Sequence, residues 1–147
     1  MLTNTKFKPF AVLACMLLVL LALFCVGDTQ ADAATYSGNC GADGSDVKWS
    51  LDTSTGVLNI TGSGKMEEYS NTVYAPWYSY RSSIKTVNIG DSVTSIGDYA
   101  FKNCKSLTSV TIGDSVTSIG KSAFFICWSL TSVTIGDSVT SIGDRAF

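Results

Sequence analysis

The chain has 147 residues, 46% of them hydrophobic, a length that suits a single domain. Ten Lys and Arg stand against twelve Asp and Glu, a net charge of −2 that leaves no basic field able to neutralise a row of phosphates and argues against nucleic acid as a partner. No histidine is present, so Ser-His-Asp and Cys-His catalysis and His-ligated metal sites are excluded within the chain.

Residues 1–33 read as a secretory signal peptide. Lys6 and Lys8 precede an unbroken apolar run from Pro9 to Val26, and Ala31-Asp32-Ala33 supplies a small-x-small cleavage site. A permanent anchor needs about 20 apolar residues followed by positive charge. Here Gly27-Asp28-Thr29-Gln30 follows instead. Cys15 and Cys25 are poorly placed for lipid attachment, the first too close to Lys8 with apolar chain beyond it, the second preceded by Phe24. The expected location is secreted, extracellular or at the cell surface. Cleavage after Ala33 leaves Cys40, Cys104 and Cys127, an odd number that precludes a complete disulfide framework.

Residues 34–83 read as an amino-terminal cap. Val47 to Leu51 and Val57 to Thr61 alternate apolar and polar positions across Asp52-Thr-Ser-Thr-Gly56, the pattern of a β-hairpin with a glycine-containing turn. Pro76 suits the first turn of a short helix, and Trp77 suits a position over the end of the core. The cluster Pro76-Trp77-Tyr78-Ser79-Tyr80 also reads as a sugar-stacking platform, a rarer use of aromatic side chains. Asn59-Ile60-Thr61 fits a glycosylation sequon, but on a predicted strand. Glu67, Glu68 and Asp46 are the available carboxylates for glycosidase chemistry, and no motif selects them.

Residues 84–147 repeat. Ile89 to Thr111, IGDSVTSIGDYAFKNCKSLTSVT, and Ile112 to Thr134, IGDSVTSIGKSAFFICWSLTSVT, are identical at 18 of 23 positions, and a third copy runs from Ile135 to Phe147. A 23-residue period of spaced aliphatics predicts a solenoid in which each coil buries its apolar edge by stacking on its neighbours. Val110, Ile112, Val116 and Ile119 are expected inward, with Ser109, Thr111 and Gly113 outward. Ala123, Phe124 and Cys127 fit an inward helical or 3-10 turn. Phe101, Phe124 and Phe147 then stack as a spine. Cys104 and Cys127 fall about 4.8 Å apart in the ladder direction, which suits buried free thiols better than a disulfide.

The repeated SLTSVTIGDSVTSIGxxAFxxC unit resembles the BspA-like leucine-rich repeat of bacterial surface and secreted proteins, and residues 34–83 resemble the cap that precedes such repeats. Gly90, Gly113 and Gly136 stand where that family commonly has proline. The resemblance implies a β-rich leucine-rich repeat solenoid with short helical or 3-10 turns and an amino-terminal β-hairpin cap. It implies a role in adhesion or ligand binding, with no catalytic residues, metal or cofactor to carry over. The expected partner is an extracellular protein or glycan.

Three surfaces are candidates for that role. Lys102, Asn103 and Lys105 of the first repeat become Phe125, Ile126 and Trp128 in the second. Three large apolar side chains at polar positions make either an exposed contact patch or packing beneath a neighbouring coil. The row of Ser109, Thr111, Ser132 and Thr134, continued by Thr86 and Asn88, offers hydroxyls to a partner or to ordered water, or simply solubilises a strand face. Asp91, Asp114 and Asp137 recur at the period and suit local capping of Gly-Asp-Ser turns better than calcium, which needs six to eight oxygens. The third copy stops 13 residues into its period, which leaves an uncapped end to be covered by further chain or by self-association. The alternative function is a structural or targeting segment of a larger secreted protein, one with an enzyme domain beyond Phe147.

Overall fold

The computed structural model describes residues 34–42 and 44–147. The signal-peptide reading of residues 1–33 lies outside the described residues. Among the described residues no helix is long and apolar enough to cross a membrane.

The chain folds into strands because apolar side chains alternate with small polar ones over four- and five-residue runs. The first four strands are β1 (Thr35–Asn39), β2 (Lys48–Asp52), β3 (Val57–Thr61) and β4 (Gly64–Lys65). They are followed by β5 (Thr86–Ile89), β6 (Val93–Ile96), β7 (Ser109–Ile112), β8 (Ser118–Ile119), β9 (Ser132–Thr134) and β10 (Ser141–Ile142). One sheet has the order β1-β2-β3-β5-β7-β9 and the other β10-β8-β6-β4. The predicted hairpin is present as β2 and β3, one residue displaced at β2. Its turn is closed by the Gly56 N–H donating to the Asp52 carbonyl at 2.8 Å. Gly56 has φ +76, and a Cβ there would lie 2.5 Å from the Ser83 carbonyl, so the turn requires glycine twice over. β1, which the polar segment TYSGN did not suggest, adds antiparallel to β2 with every residue exposed.

β3 is at once the second hairpin strand and the first parallel strand. It pairs with β5 in the register Val57↔Thr86, a step of 29 residues. From there the step is the sequence period of 23: Thr86↔Ser109↔Ser132 in one sheet and Ser95↔Ser118↔Ser141 in the other. The 23-residue β-rich solenoid is therefore the observed fold, with the longer first coil absorbing the extra residues in its loops. Thr108, Thr117, Thr131 and Thr140 each donate a side-chain hydroxyl to a carbonyl 23 residues earlier, at 3.0 to 3.3 Å, and stitch successive coils together.

The core lies between the two sheets and the turn segments that close each coil. Val87, Val110, Val93, Val116, Ile96 and Ile119 are buried at repeating positions. The aromatic spine has four rungs rather than three. Trp77 stacks on Phe101 (centroids 5.3 Å apart), Phe101 on Phe124 (5.0 Å) and Phe124 on Phe147 (5.2 Å). Each such pair contributes about 0.5–1.5 kcal/mol beyond its buried area. Trp77 is completely buried and its indole Nε1 donates to the Ala100 carbonyl at 2.9 Å. It is the first rung of the core, not a platform for sugar.

Two local expectations, at Gly113 and at the turn aspartates, need correction, and the expected inward 3-10 turn is present. Gly113 is buried, not outward: a Cβ there would lie 2.7 Å from the Gly90 carbonyl carbon, so the coils approach too closely for any side chain. The turns around Phe101 and Phe124 are single 3-10-type turns, closed by Cys104 N–H to Phe101 O and Cys127 N–H to Phe124 O at 3.2 Å. The described 3-10 helix is Tyr78–Tyr80. Asp91, Asp114 and Asp137 are exposed, and their carboxylates accept no hydrogen bond among the described residues. Their turns close through the backbone, as in Val116 N–H to Gly113 O at 3.2 Å.

Candidate functional site

The segment that distinguishes the two full repeats is a turn with a fixed backbone. Tyr99 and Ser122 have φ of 53 and 52, and Asn103 and Ile126 have φ of 64 and 62. Asn tolerates this left-handed conformation because its short polar side chain relieves the steric cost, whereas a β-branched residue pays it in full, about 1–2 kcal/mol. The second coil therefore keeps a strained isoleucine at a position where its neighbour has an asparagine. Strain of this kind persists only where surrounding structure imposes it, and it collects at binding sites.

On that backbone, Phe125, Ile126 and Trp128 surround one hollow of about 340 Å³ together with Leu130 and Phe147. Trp128 is 76% exposed, and Phe125 and Ile126 are half-buried. Neither of the two simple readings describes all three: Trp128 is a surface residue, while Phe125 and Ile126 are partly covered. The Lys105 ammonium lies 4.6 Å from the centroid of the Trp128 ring, a contact the period places by setting residues 105 and 128 in equivalent positions. On its other side Phe125 shares a polar hollow with Lys102, Lys121 and Asn71, where the Lys102 ammonium donates to the Asn71 Oδ1.

The hydroxyl row lies on a different face. Thr111, Ser132 and Thr134 are exposed and Ser109 is half-buried on the outer surface of the six-stranded sheet, and they share no hollow with the patch. The row is longer than the repeats reveal: Ser37, Ser50, Asn59, Asn88, Thr111 and Thr134 are consecutive cross-strand partners. Asn88 Nδ2 donates to Asn59 Oδ1 at 2.9 Å, so the sequon asparagine is engaged on the sheet. The hairpin residues joined the row through strand register, which the repeat could not reveal outside its own span.

The other candidate chemistry does not assemble. Asp46 and Glu68 line separate hollows, and Asp46, Glu67 and Glu68 are all exposed. Cys40, Cys104 and Cys127 are buried free thiols. Burial pushes the Cys40 and Cys127 thiols up to about 12 and the Cys104 thiol up as well. Cys127 Sγ lies 3.2 Å from the Phe101 carbonyl oxygen. These are unreactive core groups rather than nucleophiles.

One feature near the patch was invisible in the two matching copies, because it lies before them in the chain. Arg81 is half-buried, its guanidinium carbon 4.2 Å from the centroid of the Tyr78 ring, and Nη1 donates to the Tyr78 carbonyl at 2.9 Å. It lines a hollow of about 450 Å³ with Ser79, Ser82, Asn103, Lys105 and Ser106.

Comparison with known proteins agrees with the architecture. The family model of the BspA type leucine-rich repeat region (6 copies) matches residues 71–147, just over half of the chain. A leucine-rich repeat protein from Eubacterium ventriosum has a similar structure, with a TM-score of 0.66 and 35% identity, over 74% of this chain and 28% of its own. A leucine-rich cell surface protein from Faecalibacterium prausnitzii aligns with a TM-score of 0.45 and 32% identity, over 75% of this chain and 34% of its own. The chain thus spans about a third or less of the length of these two solved relatives. No curated protein matches it. With the 23-residue register on one side and the match over residues 71–147 on the other, the chain belongs to the BspA type leucine-rich repeat family.

Proposed function

We propose that the chain is a binding module, secreted or displayed at the cell surface, that engages an extracellular protein or glycan through the turn edge around Phe125, Ile126 and Trp128. The observation that carries this reading is positional. Lys102, Asn103 and Lys105 sit between two stacked coils and are nevertheless exposed or half-exposed, so the position itself faces solvent. The next coil places three large apolar side chains at those same positions. Exposed apolar clusters with an aromatic anchor mark interaction surfaces. The Lys6, apolar run and Ala31-Asp32-Ala33 order supports export, and the solenoid supports adhesion in place of catalysis.

The test is binding of the purified protein to arrays of glycans and extracellular matrix proteins, beside a Phe125→Lys/Trp128→Lys variant. Partner signals of the unaltered protein should fall in the variant and persist in a Thr111→Glu/Thr134→Glu variant. Retention of every signal by the patch variant overturns the reading.

A further inference from the structure

We infer that the hollow between the cap and the first coil, lined by Arg81, Lys105 and their hydroxyl-bearing neighbours, is an anion subsite that holds a carboxylate or sulfate group of a saccharide whose ring stacks on Trp128. The inference rests on the proposed contact role of the turn edge only through Trp128.

Both cations are oriented before any ligand arrives. Arg81 lies over the Tyr78 ring and is tied by one of its five donors to the Tyr78 carbonyl, which leaves the others free. Lys105 is held over the Trp128 ring. Neither has a carboxylate within ion-pair distance: among the described residues the ion pair is Arg145 with Asp144, at 3.9 Å. The two strips of chain that form the hollow are cationic throughout. Residues 69–90 contain Arg81 and Lys85 and no acid, and residues 99–113 contain Lys102 and Lys105 and no acid, in a chain whose net charge is −2. The acids of the repeats lie instead in the Gly-Asp-Ser turns or beside the glycines that follow them. Two fixed, unneutralised cations converging on one concavity make a local positive field and a low reorganisation cost for an anion.

The rest of the lining selects the class of anion. Ser79, Ser82, Ser106 and Asn103 supply hydroxyls and an amide, each both donor and acceptor, and no apolar side chain lines the hollow. That matches a polyhydroxylated ligand. An acidic peptide has no run of hydroxyls to match that lining. Trp128 does not itself line the hollow, but Lys105 lies over one face of its largely exposed ring, which leaves the other face for the C–H side of a pyranose.

The experiment is isothermal titration of the purified protein with hexagalacturonate, a sulfated dextran oligomer of similar length, neutral maltohexaose and a hexaglutamate peptide. One or both anionic saccharides should bind, with an affinity that falls as salt rises, and maltohexaose should not. The arm that binds more tightly names the anionic group. Lys105→Glu and Arg81→Gln should each weaken that binding by about tenfold or more, and Trp128→Ala by several-fold. Lys105 is exposed, so its variant decides the matter if Arg81→Gln fails to fold. Equal binding of maltohexaose, tighter binding of hexaglutamate, absence of binding by both anionic saccharides, or indifference to Lys105→Glu each overturns the subsite. Phe125→Ser separates the two proposals, because Phe125 does not line this hollow. Saccharide binding retained in that variant supports the subsite even where array partners are lost or unaffected.

Discussion

The coils at residues 89–111 and 112–134 have one backbone and two surfaces. Their strands pair residue for residue, Thr86↔Ser109↔Ser132, and their turns repeat the same positive φ at Tyr99 and Ser122 and at Asn103 and Ile126. Their buried positions are the same residues: Ala100 and Ala123, Phe101 and Phe124, Cys104 and Cys127. All five differences between the copies fall in residues 98–105 and 121–128. The contrast shows a division of labour: spaced aliphatics, the paired aromatics and the close glycines determine the coil, and the turn edge is free to change its chemistry without changing its shape.

If the two cores are equivalent, Phe101→Ala and Phe124→Ala should cost the same, about 3–5 kcal/mol each. Urea unfolding checks this, and a clear difference between them would break the equivalence. The buried thiols give a pH test of the core. Burial raises the Cys40 and Cys127 thiols to about 12, from an ordinary value of 9.0. The native state therefore holds these protons more tightly, its full contribution is present below the unfolded value, and stability falls as pH rises from there towards 12. Below that window the thiols should resist a disulfide reagent until the protein unfolds, and rapid labelling of native protein at neutral pH would contradict their burial. Gly113→Ala, which forces a methyl group onto the Gly90 backbone, should cost about 1–3 kcal/mol. The smaller exchange Ile126→Asn should stabilise the second coil by about 1 kcal/mol, and Asn103→Ile should destabilise the first by a similar amount. Calorimetric midpoints moving the other way would show that Ile126 is held by packing that outweighs its backbone strain.

Most of the solenoid was legible because a 23-residue repeat at 18 identical positions states its own register. Every parallel pairing from β5 to β10 follows from it. Where the repeat ends, so does that information. Trp77 serves as a rung at a spacing of 24 from Phe101, inside a first coil whose strand step is 29, so alignment with the period could not identify it. β1 carries no apolar alternation because both its faces are exposed. Gly113 reads as outward from strand alternation, yet it is the absence of a side chain that lets the coils touch there. Of the site, Phe125, Ile126 and Trp128 were visible as a departure from the neighbouring copy, and the strain at Ile126 had a faint signal in the asparagine at residue 103. Arg81 had none, since it falls at the position that becomes Cys104 and Cys127 in the repeats.

The claim that the turn edge varies independently of the core is tested most directly by the stability of Phe125→Lys/Trp128→Lys, which restores to the second coil two side chains of the first. Trp128 is largely exposed and Phe125 half-buried, so the free energy of unfolding in urea should change by no more than about 1 kcal/mol. A loss of several kcal/mol, in the range of a buried aromatic, would make these side chains part of the core and remove the contact surface from the account.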